Sequence, residues 1–210
     1  MSTPDDPRGV VDRLQSLREP LVDLEARQAL ASAKVRLLGA KPGLVELDRY
    51  VLGERIGEGG SGMVYRARDP ALGRDVAIKL LRPSSARALG EARLLREARA
   101  LATLSHPNVV VVHDVGTYDP RTLVPDEPDD GTRGVYVVME LVDGTPLSRW
   151  IDAPHELAEI VTVMLAAGRG LAAAHARGLV HRDFKPSNAI VGADGRVCVL
   201  DFGLAEVART

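Results

Sequence analysis

The apolar positions of this 210-residue chain change their spacing along its length, and these changes divide it into segments. Between residues 10 and 38 leucines recur at helical intervals, at positions 14, 17, 21 and 24. Pro20 is expected to split this stretch into two helices, and the proline- and aspartate-containing residues 1–8 are predicted to be disordered. Residues 1–49 therefore form a predicted helical extension that either packs on the main domain or serves dimerisation or partner binding.

From residue 50 the pattern changes to short β-rich segments separated by glycine or Asp-Pro turns. A helix is predicted between the third and fourth strands over residues 86–104, which are rich in Ala, Leu, Arg and Glu. The stretch 119–134 is rich in Pro, Asp and Gly and is expected to form a surface loop. The five predicted strands cover residues 50–56, 63–68, 75–81, 109–115 and 135–141.

The sequence of the C-terminal part predicts one long helix followed by two short strands. A long helix is expected to begin at Pro154, a favourable first helical residue, and to end near Gly178. Two short strands follow at 189–191 and 196–200, joined by a glycine-containing turn at 192–195. The sequence thus predicts an α+β fold with an antiparallel five-stranded sheet, one inserted helix, a long helix and a small hairpin.

Composition narrows the functional classes. Hydrophobic residues make up 45% of the chain, charged residues 27%, and the net charge is −2, so no basic field indicates nucleic acid as a partner. Cys198 is the only cysteine, which excludes an internal disulfide. No apolar leader follows Met1 and the uninterrupted apolar runs are short for a bilayer span, so we expect a cytoplasmic protein without a membrane segment.

A glycine-rich motif of the form G-x-G-x-x-G-x-V places Gly57, Gly59, Gly62 and Val64 at the end of the first predicted strand. Glycines allow the backbone to approach a polyphosphate and to present its N–H groups. A dinucleotide-binding fold would need a helix directly after the loop, but here a second strand follows. No G-K-[ST] sequence is present, which excludes the other common phosphate loop.

Lys79 is notable because only four of the 27 basic residues are lysines. It ends a V-A-I-K sequence on the third strand, where an ammonium group needs an anionic partner or water. This position predicts contact with nucleotide phosphates. Glu91 and Glu97 on the following helix are the candidates for its orienting partner, and Glu97 is favoured.

The strongest motif is the H-R-D-F-K-P-S-N sequence at 181–188, followed thirteen residues later by D-F-G at 201–203. Phosphoryl transfer is catalysed mainly by positioning and charge compensation. Asp183 is suited to orient a hydroxyl and accept its proton, and Lys185 to neutralise the γ-phosphate. Asn188 and Asp201 supply the oxygen ligands that Mg²⁺ prefers.

With these motifs in this order, the chain from residue 50 to about 205 resembles the eukaryotic-like serine/threonine protein kinases of bacteria. The resemblance implies a two-lobe fold, with an ATP-binding lobe at 50–142 and part of a helical lobe at 143–210. It implies ATP and Mg²⁺ as cofactors and protein Ser/Thr hydroxyls as acceptors. Lys185 resembles the serine/threonine branch, and Arg182 resembles kinases that are switched by activation-loop phosphorylation.

The resemblance also assigns residues that the motifs alone do not. Met139 would be the gatekeeper beside the adenine, and Glu140 and Val142 would offer backbone groups to it. The adenine ring would lie between apolar side chains contributed by Ile56, Val64, Ala77 and Ile190. A stack of side chains linking the lobes would comprise Leu101, Val112, His181 and Phe202.

The sequence departs from the family pattern at its end. Thr210 lies nine residues after Asp201, with no A-P-E motif. We therefore expect the apolar face of the long helix to lack packing partners and the chain to be prone to aggregation. Two alternatives remain open: a nucleotide-binding interaction module without catalysis, and a small-molecule phosphotransferase of the same fold.

Overall fold

The computed structural model describes residues 45–59, 62–81, 91–123, 131 and 133–202, without the side chains of Glu91, Arg93, Leu94, Glu97, Thr122 and Leu123. The predicted helices at 10–38 lie outside these residues, as do the start of the helix predicted at 86, residues 60–61 and residue 203. In chain order the elements are β1 (Glu46–Leu47), β2 (Tyr50–Gly59), β3 (Gly62–Asp69), β4 (Arg74–Leu81), α1 (Glu91–Ala102), β5 (Val112–Tyr118), α2 (Pro120–Leu123), β6 (Gly134–Glu140), β7 (Gly144–Pro146), α3 (Leu147–Trp150), α4 (Leu157–His175), a 3₁₀ turn (Pro186–Asn188), β8 (Ala189–Gly192) and β9 (Val197–Val199).

The first lobe is built on an antiparallel sheet of six strands in the order β1-β2-β3-β4-β6-β5. The prediction of five strands missed β1, whose two residues are too few to show an alternating pattern. Leu47 in β1 pairs with Tyr50 across a turn in which Asp48 has a φ of 54°. Both Leu47 and Tyr50 are buried, so this short strand extends the apolar face of the sheet.

The fourth predicted strand begins at Val112 rather than at residue 109. Val109 bridges Val199 of β9, and the Val110 amide donates to the Val199 carbonyl at 3.0 Å. These β-branched residues therefore join the second lobe instead of β6. The local apolar run could not distinguish the two partners, because both are strands.

Side-chain alternation gives the sheet two apolar faces. Val76, Ile78 and Leu80 contribute to a cluster on the outer face that also contains Tyr65. Ala77 and Leu81 point to the opposite face, where a second cluster continues into the second lobe through residues such as Phe202. The second face therefore positions Lys79, which lies between Ala77 and Leu81, towards the junction of the lobes.

The second lobe contains α4 and a three-stranded sheet in the order β7-β8-β9. The β8–β9 hairpin was predicted, and Gly195 in its turn has a φ of 82°. β7 was not predicted, because its Gly-Thr-Pro sequence carries no strand pattern. Helix α4 begins at Leu157 with Glu156 as its N-cap, three residues later than predicted from Pro154.

The later start of α4 follows from His155, whose ring stacks on Trp150 with centroids 3.5 Å apart. Its Nε2 donates to the Trp150 carbonyl at 2.7 Å, and this arrangement keeps the segment before Glu156 out of the helix. The hydrogen bond to Trp150 is the main reason that the pKa of His155 is raised.

Helix α4 is apolar on more than one face. Val163, Ala167, Gly170 and Ala174 are buried, whereas the opposite face exposes large apolar side chains, with Leu157 74% exposed. Within the described residues this face has no cover, as the sequence led us to expect. By length and composition alone, α4 is also apolar enough to cross a bilayer. The short uninterrupted apolar runs of the sequence did not indicate this. In the structure α4 packs against β9.

Candidate active site

The glycine-rich segment forms a hairpin between β2 and β3 that borders the junction of the lobes. Gly57 pairs with Val64, and Gly59 pairs with Gly62. A side chain at Gly62 would meet the Leu80 carbonyl oxygen of β4, so this strand can lie against β4 only with glycine here. A strand, and not a helix, follows the glycines, in agreement with the exclusion of a dinucleotide-binding fold.

Lys79 is buried in the middle of β4, between Val64 of β3 and Val137 of β6 in register. The residue is 2% exposed, and its Nζ lies 2.7 Å from Asp201 Oδ2. A buried ammonium group requires such an anion. The predicted partner Glu97 lies on α1, but its side chain is outside the description, so the Lys79–Glu97 contact stays a prediction.

The catalytic-loop residues lie together on the second lobe. Lys185 Nζ donates to Asp183 Oδ2 at 2.7 Å, and Asn188 Nδ2 donates to the Asp183 carbonyl at 2.8 Å. The Lys185 hydrogen bond is the main reason that the pKa of Asp183 lies below its usual value. Asp183 is therefore a carboxylate at neutral pH and can accept a hydrogen bond from a hydroxyl. Arg182, beside it, has a left-handed backbone with a φ of 63°.

His181 connects this loop to the segment that carries Asp201, through a hydrogen bond that the sequence motifs do not reveal. Its Nε2 donates to the Leu200 carbonyl at 2.7 Å, and its ring lies 4.7 Å from that of Phe202. The Leu200 amide in turn donates to the Asn188 carbonyl at 2.9 Å. These bonds bracket Asp201, which adopts a left-handed φ of 58°, a conformation that persists where surrounding contacts fix it.

The donor set fits a magnesium ion better than a transition metal. No cluster of three His, Cys, Asp or Glu side chains occurs in the described part of the chain. Mg²⁺ needs only one or two protein oxygens, because it keeps waters and binds phosphate oxygens. Asp201 and Asn188 provide a carboxylate and an amide oxygen on segments that are hydrogen-bonded to each other.

Apolar residues line the cleft next to Lys79. Ala77 pairs with Met139 in register, and both are buried. Leu101, Val112 and Phe202 belong to the same cluster, and Val64 and Val142 pack against it half-buried. Ile190 of β8 is half-buried and Ile56 is 47% exposed. Seven of the residues that the resemblance assigned to the hinge, the adenine pocket and the interlobe stack thus share one apolar cluster. The places of Ile56 and Ile190 in an adenine pocket stay a prediction.

Comparison with known proteins supports this geometry. The family model of the protein kinase domain matches residues 50–210. The chain belongs to the protein kinase domain family. The "DNA damage-responsive serine/threonine-protein kinase RqkA" of Deinococcus radiodurans is 40% identical over 174 residues, which are 80% of this chain and 24% of that protein.

Other relatives give the same result for this kinase domain. The "Serine/threonine-protein kinase PknB" of Mycobacterium tuberculosis is 40% identical over 162 residues, 75% of this chain and 24% of the relative. The PknI kinase domain of M. tuberculosis, a solved structure, matches with a TM-score of 0.64 and 29% identity over 79% of this chain and 64% of its own. The chain thus spans about a quarter of the length of these curated relatives.

One ion pair of this kinase domain was not predicted from the sequence. Arg196, in the turn of the β8–β9 hairpin, donates from Nη2 to Glu140 Oε1 at the end of β6. The two residues are 56 positions apart and neither lies in a motif. The pair could have been predicted only with knowledge of which turn lies behind the end of β6.

Proposed function

We propose that this kinase domain transfers the γ-phosphate of ATP to serine and threonine hydroxyls of proteins. The observation that carries the proposal is the buried ammonium of Lys79, 2.7 Å from Asp201. The segment of Asp201 is hydrogen-bonded through Leu200 to Asn188 of the loop that holds Asp183 and Lys185. A pair such as that of Lys79 and Asp201 places positive charge for phosphates and an oxygen ligand for a metal at one point.

Each part of the cleft has a role in this proposal. Bound Mg-ATP supplies the phosphoryl group and, through the metal, compensates charge on its oxygens. Lys79 holds the α- and β-phosphates with Glu97 as its orienting partner, and Asn188 and Asp201 hold Mg²⁺. The backbone N–H groups around Gly57, Gly59 and Gly62 lie over the phosphates.

The acceptor side is provided by the catalytic loop. Asp183 orients the incoming hydroxyl and accepts its proton, and Lys185 balances the negative charge near the γ-phosphate. The backbone of Glu140 and Val142 faces the edge of the adenine, whose rings lie between Ile56, Val64, Ala77 and Ile190. Met139 limits the depth of this pocket.

The proposed class of acceptor is supported by the relatives, which are named serine/threonine-protein kinases, and by Lys185 in the catalytic loop. We place the reaction in the cytoplasm, where ATP is available. Residues 10–38 remain a candidate segment for dimerisation or partner binding.

The test uses the purified protein with radiolabelled Mg-ATP and a general protein acceptor such as casein or myelin basic protein. We expect label on serine and threonine, identified after acid hydrolysis. Amino sugars and choline are offered in parallel as small-molecule acceptors. Transfer only to these would overturn the protein-kinase proposal, and so would Mg-ATP binding without transfer that the Asp183→Asn variant reproduces unchanged.

A further inference from the structure

The segment that joins the lobes, residues 140–142, is here called the hinge. Glu140 is the last residue of β6, and its amide donates to the Val111 carbonyl at 2.9 Å. Because side chains alternate along β6, the Glu140 side chain points to the opposite face from Met139. The carboxylate therefore lies behind the hinge, away from the apolar cleft, and leaves the hinge backbone accessible from the cleft side.

The Glu140 carboxylate depends on Arg196 for its compensation. Its side chain is 25% exposed, and that of Arg196 is 30% exposed. One oxygen accepts from Arg196 Nη2, and the other, Oε2, is buried without a hydrogen-bond partner among the described residues. Removing Arg196 would leave a largely buried carboxylate uncompensated, which is unfavourable.

Arg196 is itself held in place by the hairpin turn. Its amide donates to Asp194 Oδ1 at 2.9 Å, and its carbonyl accepts from the Gly192 amide at 2.7 Å. The hydrogen bond to Glu140 is the main reason that its pKa is raised further. The guanidinium is thus presented from a fixed backbone, and little conformational entropy is lost in forming the pair.

The same turn makes a second contact on the other side of the hinge. The Ala193 amide donates to the Asp143 carbonyl at 2.9 Å, and Gly192 pairs with Gly144. Leu141 and Val142 are therefore bracketed by two attachments to one turn, through Glu140 before them and Asp143 after them. This hairpin also carries Ile190 and continues through β9 towards Asp201.

We propose that Arg196 is a positioning residue for the adenine site: by its ion pair with Glu140 it fixes the hinge backbone relative to the hairpin that carries Ile190. The inference rests on the proposed nucleotide function. Through this contact the hinge edge and the floor of the adenine pocket move as one unit. Loss of the pair removes one of the attachments of the hinge, while leaving Asp183, Lys79 and the metal ligands untouched.

The test compares Arg196→Met, which removes the charge and keeps an aliphatic side chain, with Arg66→Met as a matched control. Arg66 also forms an ion pair, with Asp75 at 3.1 Å, but on the exposed outside of the sheet. We expect Arg196→Met to weaken the binding of Mg-ATP and of adenosine by the same factor, about tenfold, which corresponds to about 1.4 kcal/mol. The control is expected to change neither.

Adenosine distinguishes positioning of the hinge from a general loss of structure. It lacks phosphates, so it reports the adenine site without Lys79 or the metal. Hydrogen exchange at the Leu141 and Val142 amides gives a second readout that needs no ligand, and we expect faster exchange in Arg196→Met. The charge-swapped pair Glu140→Arg with Arg196→Glu is expected to restore slow exchange and most of the affinity.

Unchanged or tighter nucleotide binding in Arg196→Met would overturn the proposal, as would unchanged hinge exchange or a charge swap no better than the single variants. Failure of the wild-type protein to bind Mg-ATP would overturn the proposed function and the adenine role together. Hydrogen exchange at the hinge amides needs no ligand. It therefore distinguishes a failure of nucleotide binding from a failure of the ion pair alone.

Discussion

Two lysine–aspartate pairs belong to the candidate active site, and they differ in environment but not in length. Lys79 and Asp201 are 2.7 Å apart with side chains 3% and 25% exposed, whereas Lys185 and Asp183 are 2.7 Å apart with 52% and 40% exposed. A partly buried pair is costly to break, because one charge is left without compensation. An exposed pair contributes little to stability. The distance between nitrogen and oxygen therefore does not show which pair contributes more to stability.

The two pairs also differ in how the chain holds them. Lys79 lies in the interior of a strand that is paired on both sides. Lys185 precedes a 3₁₀ turn of three residues. We infer that the first pair defines where phosphates and metal are held, and that the second can adjust to an acceptor. The following predictions test that contrast.

The largest effect is expected for Lys79→Met. The variant removes the phosphate contact and leaves the Asp201 carboxylate without its cation, so phosphotransfer should fall by about 10³-fold or more. Nucleotide binding and phosphate transfer measured on the same preparation check this. Retained labelling in Lys79→Met would refute the assignment of the phosphate site.

Asp183→Asn is expected to impair phosphate transfer to the acceptor rather than nucleotide binding. Loss of the group that accepts the hydroxyl proton should reduce transfer by about 10²-fold or more, while the affinity for Mg-ATP stays within about twofold because Lys79 and Asp201 are unaffected. Titration with a fluorescent nucleotide alongside the kinetics separates the two effects. A large loss of nucleotide affinity would contradict the division of roles between the pairs.

A smaller effect is expected from Lys185→Met, and it should appear in the pH dependence. The hydrogen bond from Lys185 holds the pKa of Asp183 below its usual value. This carboxylate therefore stabilises the folded state above the usual pKa, and the contribution is lost as the pH falls through the lowered pKa. In Lys185→Met the pKa of Asp183 should rise towards the usual value. The acidic limb of the kcat/KM profile should then move to higher pH.

The control for the pH experiment is Arg121→Met. Arg121 donates to Asp119, an exposed carboxylate outside the cleft whose pKa it lowers to about 2. This variant alters a similar arginine–aspartate contact without touching Asp183, so its activity profile should match that of the wild type. An equal shift of the acidic limb in both variants would show that the profile does not report Asp183.

The smallest effects are expected at two glycines of α4, the helix that packs against β9. A side chain at Gly170 would meet the Asn108 carbonyl oxygen, whereas nothing lies within 4 Å of one at Gly168. Gly170→Ala should destabilise the fold by about 1–3 kcal/mol. Gly168→Ala should stabilise it by about 0.5–1 kcal/mol through helix propensity. Thermal unfolding of both variants measures the difference, and equal melting temperatures would contradict the close packing at Asn108.

Much of the cleft could be predicted because its chemistry is encoded in short motifs. The glycine spacing, the lysine on a central strand and the loop at 181–188 each combine residue types that phosphate and metal chemistry require. The structure brings Lys79, Asp183, Lys185, Asn188 and Asp201 to the faces of one cleft. β1 and β7 escaped prediction because segments of two and three residues show no periodicity.

The amino-acid sequence by itself determined the order of the longer strands and helices, the family and the residue types available for phosphate and metal, since these depend on local patterns and spacing. Tertiary structure decided that Val109 and Val110 join β9, that His181 binds the Leu200 carbonyl, and that Arg196 neutralises Glu140. These partners lie 19 to 90 residues apart. Such contacts depend on how the two lobes dock, and no local pattern records that.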